Sequence, residues 1–165
     1  MADHVDFILK QWKKERPDLD ASPMAIIGRL TRLALRVDTE LRRTFEAHGL
    51  DRSSFDVLAT LRRSGAPFRL TPAELMRASM VTSGAVTQRL DRLEERRLVK
   101  RTPNESDGRG VYVTLTEKGR ALIDETLPHH IETENRLLVG LTKSQRTALA
   151  DTLRTMLESL GDKTE

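Results

Sequence analysis

The chain has 165 residues, of which 38% are hydrophobic, 4% aromatic and 32% charged, and its formal net charge is +3. This composition is typical of a helix-rich soluble protein and excludes a disordered chain. No apolar run approaches the roughly 20 residues that span a bilayer, and the first residues do not resemble a signal peptide. The absence of cysteine excludes disulfides and thiolate metal sites and is consistent with the cytoplasm, where we expect the protein to act.

Basic residues are concentrated in one segment of the chain. Between Arg62 and Arg101 there are ten Arg and Lys residues and four acids, a net charge of +6, so the flanking regions are net acidic. A local basic patch in an otherwise balanced protein is typical of a surface that contacts nucleic acid. We therefore expect nucleic-acid contacts within this segment.

Two helices are predicted in the N-terminal region. The first runs from Asp3 to about Glu15, before an Arg-Pro pair that disfavours helical backbone. The second has Ser22 as its N-cap, continues from Pro23 to about Ala47 and ends at Gly49. Both carry apolar residues at helical spacing. The apolar faces consist of Val5, Ile8, Leu9 and Trp12 in the first helix and Ile26, Leu30, Leu33, Val37, Leu41 and Phe45 in the second.

A third helix and the start of a helix-turn-helix follow. Ser53 or Ser54 opens the third helix, and the segment 64–67, which contains Gly and Pro, ends it. Thr71 and Glu74 then form a capping box around a proline at the first helical position, which predicts the first helix of the motif.

The second helix of the motif is predicted to begin at its N-cap, Thr82, and to run to about Arg96. A rotation of 100° per residue places Leu90 and Leu93 on the same buried face as Val86. The opposite face is small and polar in its first turns, as is required of a helix that enters a DNA major groove. The residues predicted to face the groove are Thr82, Ser83, Gly84, Thr87, Gln88 and Arg92.

Two short strands with a turn-rich loop between them predict a wing after this helix. The first strand spans Leu98–Thr102, and the second, Val111–Leu115, alternates apolar and polar residues as a half-buried strand does. Arg109, near the tip of the loop, is expected to reach a minor groove or flanking phosphates. The run that contains Arg96, Arg97, Lys100 and Arg101 either is a solvated face or contacts phosphates, and such contacts give affinity and salt dependence rather than specificity.

Two further helices complete the chain. Thr116 begins a helix toward Leu127, and Pro128 either ends or kinks it, whereas Thr142 and Gln145 form a capping box for the last helix. The terminal helices carry more apolar surface than one winged module can bury, so we expect a homodimer. The predicted fold is therefore mainly α, a winged helix-turn-helix lobe (residues 53–115) with N- and C-terminal helical dimerisation arms (residues 3–48 and 117–160) in a single domain.

Four motifs in the C-terminal two-thirds of the chain resemble the MarR family of bacterial transcriptional regulators. They are Arg89-Leu-Asp-Arg-Leu-Glu-Glu95, Leu98-Val-Lys-Arg101, Asp107-x-Arg109 and Val113-Thr-Leu-Thr-Glu-Lys-Gly119. The resemblance implies a triangular homodimer that binds a pseudo-palindromic operator in double-stranded DNA and usually represses genes. It also implies that a small phenolic or anionic ligand releases the DNA. Asp107 and Arg109 correspond to the wing motif of the family.

A narrower resemblance concerns the urate-responsive members of that family, which have an extra N-terminal helix with a Trp. Trp12, Asp56, Arg89 and Arg101 match the four residues that these proteins use to bind the ligand. The resemblance implies a purine or aromatic anion as effector, for which a flat apolar surface and two guanidinium groups are suitable partners.

Each of these four residues also has a structural interpretation. Trp12 completes the apolar face of its helix and is also explained by packing alone. Asp56 falls on the polar side of its helix, where a surface pair with Arg63 is an alternative. Arg89 and Arg101 are also explained by pairing with nearby acids, which would hold the DNA-reading helix in place.

Metal binding and enzymatic activity are disfavoured, and two binding functions are left as alternatives. The pair His129-His130 with Glu132 and Glu134 predicts no metal site, because adjacent helical side chains diverge by about 100°. We expect no cofactor and no enzymatic activity, since the sequence lacks a nucleophile–base pair and a phosphate-binding glycine loop. A constitutive or architectural DNA-binding dimer without a ligand, and a winged fold used for protein contacts, remain alternatives to a ligand-responsive repressor.

Overall fold

A computed structural model describes residues 2–79, 86–104 and 110–162 of the chain. The protein is mainly helical with a small antiparallel sheet, as predicted. It comprises two compact units, Met1–Arg52 and Ser53–Glu165. Within the described residues, no helix is both long enough and apolar enough to cross a lipid bilayer.

The first unit consists of two helices, α1 (His4–Glu15) and α2 (Ser22–Ala47). Arg29 on α2 joins them, since its guanidinium donates to the carboxylates of Asp3 at 2.8 Å and Asp6 at 2.7 Å. The predicted N-cap of α2 is wrong by one residue. Ala21 occupies the cap, because Asp20 accepts from both the backbone N–H and the hydroxyl of Ser22 and thereby engages that side chain before the helix.

The second unit begins with the helix α3 (Arg52–Arg63), which starts one residue before the earlier of the two predicted positions. It is followed by β1 (Arg69–Leu70), α4 (Pro72–Ala78), α5 (Val86–Glu95), β2 (Val99–Pro103) and β3 (Val111–Leu115). The helices α3, α4 and α5 and the strands β2 and β3 contribute to the apolar core of this unit. Its most deeply buried side chains are Val57, Leu58, Leu61, Leu75, Leu90, Leu93, Leu98, Val99, Val113 and Ile123.

The sheet has three strands in the order β1-β3-β2, one strand more than the predicted ribbon. The additional strand β1 has two residues, and Arg69 pairs with Thr114 and Leu70 with Val113. Such a short strand has no sequence periodicity of its own and forms because β3 presents a free edge to it. The guanidinium of Arg69 covers the ring of Tyr112 at 4.5 Å from the ring centroid.

Two long helices, α6 (Glu117–Leu137) and α7 (Lys143–Ser159), end the chain. Pro128 lies inside α6, so the helix continues past the proline instead of ending there. Buried side chains on both sides, Ile123 at 0% exposure and Thr133 at 2%, stabilise a helix that a proline alone would interrupt. Thr142 caps α7 in the predicted capping box with Gln145.

Candidate DNA-reading and ligand-binding residues

The first helix of the helix-turn-helix, α4, begins with the capping box that the sequence predicts. The Thr71 hydroxyl accepts from the Glu74 N–H at 3.3 Å, and the Glu74 carboxylate accepts from the Thr71 N–H at 2.8 Å. The backbone hydrogen bond from Thr71 is the largest of the contacts that lower the pKa of Glu74 below its usual value. The ionised carboxylate therefore stabilises the start of α4.

The second helix, α5, has one buried face and one exposed face. Leu90 and Leu93 are buried, at 2% and 0% exposure, whereas Thr87, Gln88 and Arg92 are exposed. This matches the faces predicted from the helical rotation. The predicted groove residues Thr82, Ser83 and Gly84, including the expected N-cap, lie outside the described residues.

Arg101 on β2 binds α5 at three points. Its guanidinium donates to Asp91 at 2.7 Å, to Glu94 at 2.9 Å and to the carbonyl oxygen of Thr87 at 3.3 Å. The Arg101 backbone N–H also donates to Glu94, at 2.8 Å. Partial burial lowers the pKa of Arg101, but the hydrogen bonds that it donates to Asp91 and Glu94 outweigh this effect and leave the pKa raised. We call Asp91, Glu94 and Arg101 the Arg101 cluster.

The end of α5 also contacts the first turn of α6. The Thr116 hydroxyl donates to the carbonyl oxygens of Arg97 at 2.8 Å and Leu98 at 3.1 Å, and Lys118 Nζ donates to the carbonyl oxygen of Arg96 at 3.0 Å. Arg97 has a φ of 59°, which turns the chain sharply from α5 into β2. The turn that follows α5 is thus attached to the start of a long C-terminal helix.

The wing is formed by β2 and β3, which pair from Val99 opposite Leu115 to Pro103 opposite Val111. Beyond them the Asn104 N–H donates to the carbonyl oxygen of Gly110 at 2.9 Å. The predicted wing residues Asp107 and Arg109 lie in the segment 105–109, outside the described residues.

The four predicted ligand-binding residues fall in different units. Trp12 is on α1 in the first unit and is 41% exposed, whereas Asp56, Arg89 and Arg101 belong to the second. Asp56 is only 7% exposed, so the position on the polar surface that the helical wheel suggested for it is wrong. The Arg63 guanidinium donates to the carbonyl oxygen of Ala78. Arg89 is half-buried.

A cavity of about 500 Å³ lies between α3 and α6 in the second unit, and Asp56 is part of its lining. Its walls are otherwise formed by apolar side chains such as Ile123 and by Arg62, Arg63, Asp124 and His130. Arg62 also pairs with Asp124 at 2.7 Å. Sequence reasoning missed these additional lining residues, because a cavity between two helices depends on their packing and leaves no local pattern.

The His130 ring packs against Phe55, with the ring centroids 4.7 Å apart, and its Nε2 lies 3.2 Å from Glu134. The side chain of His130 is thus part of the α3–α6 packing. In the described ranges, no group of three or more His, Asp and Glu side chains is arranged to hold a metal ion.

The sequence and the fold are similar to those of known regulators. A model of the MarR family matches residues 48–110. The transcriptional regulator PecS of Dickeya dadantii (strain 3937) is 41% identical over 145 residues, which cover 88% of this chain and 87% of PecS. The structure of Bordetella bronchiseptica BpsR, whose DNA binding is regulated by 6-hydroxynicotinic acid, matches with a TM-score of 0.71 and 28% identity over 80% of this chain and 98% of BpsR. The structure of a mutant Escherichia coli MarR bound to operator DNA also matches with a TM-score of 0.71 and 28% identity. The match covers 88% of this chain and 97% of the MarR chain.

Proposed function

This chain is a DNA-binding transcriptional regulator that belongs to the MarR family, and we propose that it is a dimeric repressor released from its operator by a small aromatic or purine anion. The observation that carries the proposal is α5. Its exposed residues Thr87, Gln88 and Arg92 form a polar face opposite the buried Leu90 and Leu93. The side chains of such a face can donate hydrogen bonds to base edges in a major groove and accept hydrogen bonds from them.

The remaining DNA contacts of this proposal follow from the sequence. Thr82, Ser83 and Gly84 would extend the groove face toward the start of the helix. Arg109, next to Asp107 in the wing, would contact a minor groove or the flanking phosphates. Phosphate contacts of this kind position the protein on DNA, whereas the groove residues determine the sequence that is bound.

Dimerisation is supported by apolar side chains that remain exposed on the helical arms. On α2, Ile26 and Leu33 are 58% and 57% exposed, and on α7, Leu157 is 51% exposed. No residue of α7 is buried within the described chain. A two-fold mate that covers these faces would remove them from water and would also place two α5 helices about one DNA turn, roughly 34 Å, apart.

The proposed effector-binding residues Trp12, Asp56, Arg89 and Arg101 are carried over from the resemblance to the urate-responsive regulators. The cavity beside the buried Asp56 provides space for a small ring in the second unit. Regulation of BpsR by 6-hydroxynicotinic acid makes an aromatic acid a reasonable class of ligand here as well. Because Arg101 already binds Asp91 and Glu94, an anion at this residue would have to compete with those two carboxylates.

Titration of an operator complex tests the proposal. An operator selected from random DNA with the purified protein is titrated with urate, 6-hydroxynicotinate and salicylate. An effector that couples to DNA with the usual strength weakens binding about 5- to 150-fold. Asp56→Asn and Arg89→Gln should abolish this response, whereas Arg43→Gln, which removes an exposed pair with Glu40, should retain it.

If no operator is selected, the repressor proposal fails. If an operator is selected but none of the anions weakens its complex, the effector proposal fails and the constitutive DNA-binding dimer is the better account. The contacts of Arg101 with Glu94 favour the constitutive DNA-binding dimer, since these contacts hold β2 against α5 without a ligand.

A further inference from the structure

We infer that Glu94 and Asp91 are positioning residues for DNA recognition, because through Arg101 they determine the orientation of α5 on the wing strand β2. The inference rests on the proposed role of α5 as the DNA-reading helix. It concerns two acidic residues on a helix whose partner is itself an anion, so direct contact with phosphate does not explain them.

The contacts of Glu94 join backbone and side chain at once. One carboxylate oxygen accepts from the Arg101 backbone N–H at 2.8 Å, and the other accepts from Arg101 Nη1 at 2.9 Å. The backbone contact fixes the position of Glu94 relative to the strand itself. The charged contact is of the stronger, charge-assisted kind.

The contacts of Arg101 extend along α5. Thr87, Asp91 and Glu94 all receive a hydrogen bond or ion pair from its guanidinium, so the side chain follows one face of the helix for about two turns. Contact at three levels restricts both the rotation and the tilt of the helix. A single ion pair would leave one of these motions free.

The restricted helix is the one that presents Gln88 and Arg92 to solvent. Hydrogen bonds to base edges require the donor and acceptor to be placed within a few tenths of an ångström, whereas contacts with phosphates tolerate larger shifts. Loss of the Arg101 cluster should therefore reduce discrimination between sequences more than it reduces affinity for DNA in general.

The Arg101 side chain is 25% exposed and those of Glu94 and Asp91 are 38% and 50% exposed. Partly exposed pairs of this kind contribute little to stability when they are isolated. Removal of one carboxylate is therefore expected to leave the protein folded, so its effect on recognition can be measured separately.

Glu94→Gln is the decisive variant, and Glu95→Gln is its matched control. Both remove one negative charge from the end of α5, but Glu95 is exposed, and the described carboxylates that pair with Arg101 are those of Asp91 and Glu94. A glutamine at 94 has one acceptor oxygen where two Arg101 donors need acceptors, so one contact is lost. Affinity for the selected operator and for random DNA is measured at one salt concentration, together with the melting temperature.

We expect the ratio of operator affinity to random-DNA affinity to fall about tenfold in Glu94→Gln, within the range for residues in one ion-pair network. Glu95→Gln should keep the ratio of the parent protein. Asp91→Asn, which removes the charge of the 2.7 Å ion pair and leaves both contacts of Glu94, should cause a smaller fall. If Glu94→Gln unfolds, the Asp91→Asn result decides.

An unchanged ratio in a folded Glu94→Gln protein would overturn the inference, as would an equal fall in Glu95→Gln. If the parent protein itself binds operator and random DNA equally, the proposed function fails and the result does not concern Glu94. Combination with Arg101→Gln provides a further criterion. If Glu94 acts through Arg101, the double variant should lose no more discrimination than Arg101→Gln alone.

Discussion

Gly119 in the first turn of α6 lies directly against the carbonyl group of Leu98, between α5 and β2. A Cβ at position 119 would lie 2.0 Å from that carbonyl oxygen and 2.9 Å from its carbon. Glycine is therefore required at this position by close approach of two backbone segments. The contact joins the α5–β2 turn to α6, the helix that we propose to be part of the dimer arms.

Gly119→Ala is expected to destabilise the protein by several kcal/mol, in the upper range for overpacked sites, because backbone atoms must move to admit the methyl group. Thermal unfolding measures the effect. Gly28→Ala in α2 is the matched control, since its Cβ would meet a Val5 methyl group at an ordinary 3.4 Å and alanine is the better helix former. An unchanged melting temperature in Gly119→Ala would contradict the close approach.

Features of the fold that depend on local patterns were predictable from the sequence. The capping boxes at Thr71 and Thr142 and the burial of Leu90 and Leu93 are confirmed, because each depends on residues within one or two turns. The strand β1 was missed. Its two residues are held by pairing with β3, more than 40 positions later in the chain.

The exposed face of α5 was predictable from the sequence. The contacts that the candidate residues make with other elements were not. The helical wheel placed Asp56 on a polar surface, yet neighbouring elements cover it and leave 7% exposed. Glu94 was seen only as one residue of a family motif. Its bond to Arg101 spans the turn between α5 and β2, where helical spacing gives no guide to which side chains meet.

Arg29→Ala is expected to raise the pH at which α1 separates from α2. The bond from the Asp6 N–H and the contacts of Arg29 lower the pKa of Asp3 below 3.8. A group whose folded pKa is depressed contributes stability above its unfolded pKa and loses it as the pH falls through the folded value. The α1–α2 contact should thus persist further into the acid range in the parent protein than in Arg29→Ala, where the pKa of Asp3 is less strongly lowered.

Trp12, the only tryptophan of the chain, lies on α1 and reports this transition by its fluorescence during acid titration. Arg43→Ala, which removes an exposed pair within α2, is the control and should leave the midpoint unchanged. An identical midpoint in Arg29→Ala and the parent protein would show that Arg29 does not hold α1.

Thr71→Ala is expected to reduce the free energy of unfolding by about 1 kcal/mol, the usual cost of a lost N-cap. The substitution removes the hydroxyl that accepts from the Glu74 N–H and donates to the Glu74 carboxylate at 2.8 Å. Urea denaturation measures the change. Thr147→Ala provides the comparison, because Thr147 is an exposed residue inside α7 whose hydroxyl only donates to Lys143 O, and it should cost nothing measurable.

Arg109→Ala is expected to weaken binding to all DNA sequences by a similar factor. A side chain that neutralises one phosphate releases about one counterion, so the slope of log K against log salt should decrease by about one. Binding to the operator and to random DNA over a series of salt concentrations measures this. A slope equal to that of the parent protein would mean that Arg109 does not contact phosphate.

Gln88→Ala, unlike Arg109→Ala, should change the sequence specificity of DNA binding and not its salt dependence. Gln88 is exposed on α5, and a glutamine amide that binds an adenine edge discriminates against the other bases by about 1–3 kcal/mol. We therefore expect a loss of discrimination at one base pair in each operator half-site, with an unchanged salt slope. Affinities for a set of operators with single base-pair substitutions identify that position. An equal loss on every sequence would place Gln88 outside the groove and would leave Thr87 and Arg92 as the described residues of α5 available for base recognition.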